Sequence, residues 1–134
     1  MPSLYWKVGL TLHAAFVIII AVSAYLGVLP ATYRVLPHAD IIGHAVLIGL
    51  LAFFLDGTLR FRPLVSGRVP ALRAAPVIIL VIAGVEELAQ SLSPRRTASL
   101  LDFAADVVGV CLASWGANLL EQAYQSNRQD RISK

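Results

Sequence analysis

Charge is what this sequence has least of. Lys, Arg, Asp and Glu together make 14% of its 134 residues, against 57% hydrophobic residues. A soluble domain typically carries about 25% charged residues. The shortage excludes an ordinary water-solvated globule and points to lipid as the solvent. Cysteine is nearly missing too. The single thiol, Cys111, excludes an internal disulfide and a thiolate zinc cage. It lies inside an apolar run and reads as a small packing residue. Regular strand alternation is absent, as open sheet edges would be forbidden in hydrocarbon. Internal repeats are absent apart from two hairpins of similar length. No serine elbow, phosphate loop or zinc-binding helix motif occurs, and the sequence names no cofactor. The formal charge of +3 is too scattered for a nucleic-acid surface. The basic residues sit in loops and tails, where in a membrane protein they set orientation.

What is present is a set of long apolar runs. Crossing a hydrocarbon core takes about 20 mostly apolar residues. Four stretches qualify: Trp6 to Leu29, Asp40 to Leu59, Ala75 to Leu92 and Leu100 to Gln122. Pro30 stops the first, and Pro76 is tolerated in the first turn of the third. The expected fold is an all-α membrane bundle of four transmembrane helices in one domain, followed by a polar tail over 123–134 that frays. A cleaved signal peptide is the other reading of the first run, with Ala21-Val22-Ser23 as a small-residue site. The run continues past that site, and only Lys7 precedes its apolar stretch, which favours a span.

Orientation follows from the Lys and Arg count on each side. Lys7, Arg60, Arg62, Arg68, Arg73, Arg128, Arg131 and Lys134 share one side, and Arg34, Arg95 and Arg96 the other. Eight against three predicts both termini in the cytoplasm. The Arg34 and Arg95-Arg96 loops are then predicted to face outward.

Ionisable residues within the spans locate the candidate chemistry. Asp40 and His44 open span two, four residues apart and so on one helix face. Glu86, Glu87 and Gln90 close span three, and Asp102 and Asp106 open span four. All seven fall on the outer side at similar depth. Glu86 and Asp106 lie roughly 9 Å inside their spans at 1.5 Å per residue. A carboxylate at such depth costs on the order of 3 kcal/mol unless paired or watered. Each residue also has a plainer reading. Ser99 with Asp102 forms a helix-start box. Asp40 is also a first-turn acid. Glu86 and Glu87 are placed to pair with Arg95 or Arg96 across the bend, and His44 to pack as a hydrogen-bonded imidazole. Asp56, near the other end of span two, reads as a solvated acid, and His13 as a packing residue. In span four, Ala105, Gly109, Ala113 and Ala117 recur every four residues. Such a stripe lets helix backbones approach closely in lipid and would make span four central.

These residues carry a resemblance. Asp40-x-x-x-His44, then Glu86-Glu87-x-x-Gln90, then Pro94-x-Arg96-Thr97-x-Ser99-x-x-Asp102 resembles the VanZ-like family of small bacterial membrane proteins, over roughly residues 38 to 110. Three positions depart from the family: Arg95 stands for its usual Gly, Asp106 for its usual Asn, and Ile41 for a frequent basic residue. The resemblance implies a bacterial cytoplasmic membrane protein with a role at the cell envelope. The family's namesake is associated with resistance to the glycopeptide antibiotic teicoplanin. It also selects Glu87 over Glu86, through the spacing to Gln90.

The expected site is an outward-opening polar pocket of Asp40, His44, Glu87, Gln90, Arg96, Ser99, Asp102 and Asp106. Three functions remain open at this stage. One is a binding module for a lipid-linked envelope molecule or peptidoglycan precursor, with Arg96 gripping phosphate or carboxylate. Another is an enzyme on such a lipid, with His44 or a carboxylate as general acid or base. The third is a scaffold subunit. Membrane lipids are the expected partners in every case. The carboxylates and His44 also supply oxygen and nitrogen ligands for a divalent cation, although no metal-ligand motif occurs.

Overall fold

A computed structural model describes residues 3–28, 38–64, 73–93 and 98–132. They form four helices: α1 (Ser3–Leu26), α2 (Ala39–Thr58), α3 (Ala74–Ser91) and α4 (Leu100–Ile132). All four are long and apolar enough to cross a membrane. No strand occurs among the described residues, only an isolated bridge between Pro63 and Arg73.

The helix ends follow local chemistry. Gly27, at φ 74°, takes the left-handed conformation and ends α1. Its N–H bonds Ala24 O, and the Val28 N–H bonds Ser23 O, the paired closure that such a glycine permits. The helix therefore stops at Leu26, before the expected limit at Leu29, and Gly27 rather than Pro30 ends it. Pro76 sits in the first turn of α3, where its missing N–H leaves no gap. The largest departure is α4, which continues through the polar tail for 33 residues. At 1.5 Å per residue it is roughly 49 Å long, more than the ~30 Å of a hydrocarbon core. The expected fraying after Gln122 does not occur before Ile132. An i, i+4 bond from Gln125 to Glu121 (3.0 Å) supports the extension.

Helix α2 is the hub. It packs on α1, α3 and α4, most broadly on α4, and α3 also touches α4. Small residues make the α2–α4 crossing. Ala105, Gly109 and Ala117 are buried, and a Cβ placed on Gly109 would fall on the backbone of Ala45. Gly49 faces Gly109 in the same way. The stripe read from the sequence is thus a contact seam, although α2 rather than α4 is central. The apolar core is narrow, built on Ala52, Ile79 and Val110. At the end of the bundle formed by the start of α1 and the end of α2, Trp6 covers Gly57 and meets Phe53 at 5.3 Å between ring centres.

Most large apolar side chains point away from the bundle. Leu12 and Ile19 on α1, Val81 and Val85 on α3, and Leu112 and Trp115 on α4 are all exposed. Water would not tolerate so much contiguous apolar surface, whereas hydrocarbon is its natural solvent. Cys111 belongs to this outer surface. The packing role expected for it is corrected, because its side of α4 faces away from α2.

Candidate functional site

The turn-by-turn placement of the helices gathers one end of α1, α2, α3 and α4 around a cavity of about 320 Å³. Its polar end is lined by Tyr25 from the last turns of α1, Asp40 and His44 from the start of α2, Glu86 and Gln90 from the end of α3, and Asp106 from α4. Its body is apolar and reaches mid-helix, past Ala14 and Val17 on α1 and Leu47, Ile48 and Leu51 on α2. Ile18 and Ile82 line it while remaining 61% and 51% exposed. The cavity therefore opens sideways between α1 and α3, which contact each other little.

The polar groups are interlocked. His44 Nδ1 lies 3.2 Å from Asp106 Oδ1, and Asp106 is 2% exposed. The glycine seam explains this pair. Ala45 adjoins His44, and Gly109 lies one turn beyond Asp106, so the backbone contact brings two short side chains within reach. Asp102 and Asp40 also lie within electrostatic range of His44. Across the cavity, Tyr25 Oη donates to Glu86 Oε1 at 3.4 Å, and Gln90 Nε2 donates to Glu86 Oε2. Gln90 is fully buried, and its Oε1 has no partner among the described residues.

Asp40, His44, Gln90 and Asp106 thus line one cavity. Glu87 does not join them. Its Oε1 accepts the Ser99 N–H, tying the end of α3 to the start of α4. Glu86 takes the place at the cavity that the family spacing had given to Glu87. Gln90 follows Glu86 by four residues and Glu87 by three, and either spacing gives a shared face, so the sequence held no signal for choosing Glu86. Ser99 and Asp102 form the start of α4, as their spacing suggested. Asp102 N–H donates to Ser99 Oγ at 3.3 Å, and Asp102 is buried. Neither is part of the cavity lining. Arg96 lies outside the described residues, as do Arg34, Arg68 and Arg95. Tyr25 was missed, since nothing but its position at the end of span one marked it. Among the described residues, no three His, Cys, Asp or Glu side chains converge as a metal-holding group.

A second polar cluster lies at the opposite end of the bundle. Arg73 donates to Asp56 Oδ2 at 2.6 Å, to Glu121 Oε2 at 3.0 Å and to Asn118 Oδ1. Its guanidinium lies 4.9 Å from the centre of the Phe61 ring. Asp56 is fully buried, which corrects its reading as a solvated acid. Arg73 draws it inward by bridging α2, the start of α3 and α4. His13 has the packing role expected of it, with Nε2 2.9 Å from Leu47 O and its ring against Phe54.

Fold and site together define a polytopic helical bundle, each helix fit to span a membrane, around a side-opening cavity with one polar end. No family model, curated protein or solved structure matches the chain.

Proposed function

We propose that this chain is a multi-pass protein of a bacterial cytoplasmic membrane, VanZ-like in type, that binds a lipid-linked molecule of the cell envelope. The observation that carries the reading is the two-part cavity, with a polar end near one limit of the helices and an apolar body running to their middle. An amphiphile has that division. Its chain is soluble in the surrounding bilayer, so a mouth between α1 and α3 gives it a path that never leaves lipid. The eight-to-three distribution of Lys and Arg supports an orientation with both termini in the cytoplasm and the polar end at the outer face, where envelope intermediates are handled.

Two experiments test this. Reporter fusions after Arg34 and Arg96 are expected to be active only when exported, and fusions after Arg68 and at Lys134 only in the cytoplasm. The reverse pattern puts the cavity's polar end inside and defeats the envelope reading. Lipids that co-purify with the protein are expected to include an envelope amphiphile that Glu86→Gln no longer retains. Identical lipid content in parent and variant would remove the binding function.

The His44–Asp106 pair favours a second reading, an enzyme acting on the same class of lipid. A carboxylate that fixes one nitrogen of a cavity-lining imidazole leaves the other to serve as a general base. Turnover of a bound envelope lipid, lost in Asp106→Asn while binding persists, would establish it.

A further inference from the structure

The end of α2 closes on two strained residues. Arg60 N–H bonds Gly57 O at 3.2 Å, and Phe61 N–H bonds Asp56 O at 2.8 Å. This paired closure favours a glycine just past the helix. Here Arg60 (φ 56°) and Phe61 (φ 57°) take the left-handed conformation, which is unfavourable for an L side chain. Packing accounts for Phe61. Its ring meets Trp6 at 6.1 Å between centres and lies 4.9 Å from the Arg73 guanidinium, so it fills the space between the starts of α1 and α3. Packing does not account for Arg60, whose side chain is exposed. Arg62, on the other side of Phe61, is exposed as well, and its carbonyl is fixed beside α3 by the Ala74 N–H at 3.1 Å.

Lys7 joins these two bases from α1. It precedes Ala14 by roughly two turns and so shares its face, and Ala14 lines the cavity that opens between α1 and α3. Lys7 therefore lies on the side of α1 turned toward α3, next to Trp6 and its partner Phe61. Asp56 and Glu121, the acids of the nearby cluster, are both bound by Arg73. Lys7, Arg60 and Arg62 form no ion pair among the described residues. Apolar side chains surround them, with Leu4, Tyr5, Val8 and Leu64 all exposed.

We infer that Lys7, Arg60 and Arg62 form a rim that holds the head-group phosphate of an anionic phospholipid, whose chains lie along exposed Val8 and Leu12 of α1. Bases at the end of a span attract anionic lipid in the adjoining leaflet. Bases set among exposed apolar side chains suit a ligand that carries both an anion and hydrocarbon. The site lies at the opposite end of the bundle from the polar end of the cavity, and it does not depend on what the cavity holds.

The test uses the full chain in nanodiscs with equal amounts of phosphatidylglycerol and phosphatidylcholine bearing the same acyl chains. Retained lipids are counted by native mass spectrometry. The parent should favour phosphatidylglycerol by about tenfold or more, and Arg60→Gly and Arg62→Gln should each lower that preference about fivefold, the contribution of one base near an anionic surface. Glycine suits the left-handed backbone at position 60, so a loss in Arg60→Gly reports the side chain and not a disrupted turn. Arg131→Gln removes the same charge from the polar tail and should leave the preference unchanged. Equal retention of the two lipids by the parent overturns the inference, and this outcome needs no variant to fold. A loss in Arg131→Gln as large as those at the rim also overturns it, by reducing the preference to overall charge. Inorganic phosphate added at constant ionic strength should displace nothing, and displacement of phosphatidylglycerol would overturn the lipid in favour of free phosphate.

Discussion

Replacing Gly109 with alanine adds one methyl group where α2 and α4 cross. The new Cβ would stand 2.7 Å from the carbonyl carbon of Ala45 and 2.8 Å from its Cα, with the carbonyl oxygen closer still. Carbon atoms settle at about 3.5–4.0 Å, so the two helices must part by roughly 1 Å. Nothing at this contact can rotate aside, because the obstructing atoms are backbone. Gly49 packs on Gly109 from the same helix, so parting at one position loosens the whole seam. Overpacking of this kind costs about 1–3 kcal/mol. A built-in control exists at Gly116, where an added Cβ meets nothing within 4 Å. There alanine should be neutral or gain about 0.5–1 kcal/mol through helix propensity. Thermal unfolding in detergent is the assay, and Gly109→Ala should melt below the parent while Gly116→Ala does not. The same parting moves His44 from Asp106, so Gly109→Ala should also weaken ligand retention. If both variants melt like the parent, the seam does not hold the bundle together, and the account of how it places the His44–Asp106 pair falls with it.

Arg73→Ala leaves fully buried Asp56 uncompensated and should cost about 3–5 kcal/mol in unfolding experiments. The double change Asp56→Leu with Arg73→Met should recover most of that, and failure to recover would mean the cluster does more than hold helices. Glu87→Ala should lower the melting temperature by loosening the start of α4 while ligand retention persists. Glu86→Gln should do the opposite, and a swap of these outcomes would restore Glu87 to the site. Cys111, exposed mid-helix on α4, should resist maleimide in intact membranes, because hydrocarbon suppresses the reactive thiolate, and react once the protein is denatured. Rapid labelling in intact membranes would place that face of α4 in water.

The residues of the two polar clusters show how far a linear reading reaches. Asp40 and His44 were recognisable because both lie on one helix face at a helix start. Asp106 was recognisable because a carboxylate deep in an apolar run needs a reason to be there. Glu86 and Glu87 are adjacent and chemically alike, and the phase of α3 decides between them. A helix turns about 100° per residue, so one of the pair faces the cavity and the other the start of α4. Asp56 and Arg73 went unpaired in the sequence because both stand where solvated charges are ordinary. Only the approach of α3 to α2 makes them partners.

By itself the sequence determined the class of the fold. The length and spacing of its apolar runs set four helices, since a backbone in hydrocarbon must satisfy its own hydrogen bonds. It also set the end of the bundle at which the unusual polar residues gather, because depth along a helix is a matter of counting. The tertiary structure decided which of those residues meet, which part of the bundle is hollow and which helix is the hub. These depend on helix rotation and on crossings only a few ångströms wide, as at Ala45, Gly49 and Gly109. Short-range periodicity does not encode such contacts between segments some 60 residues apart in the chain. They exist only once the backbones have packed together.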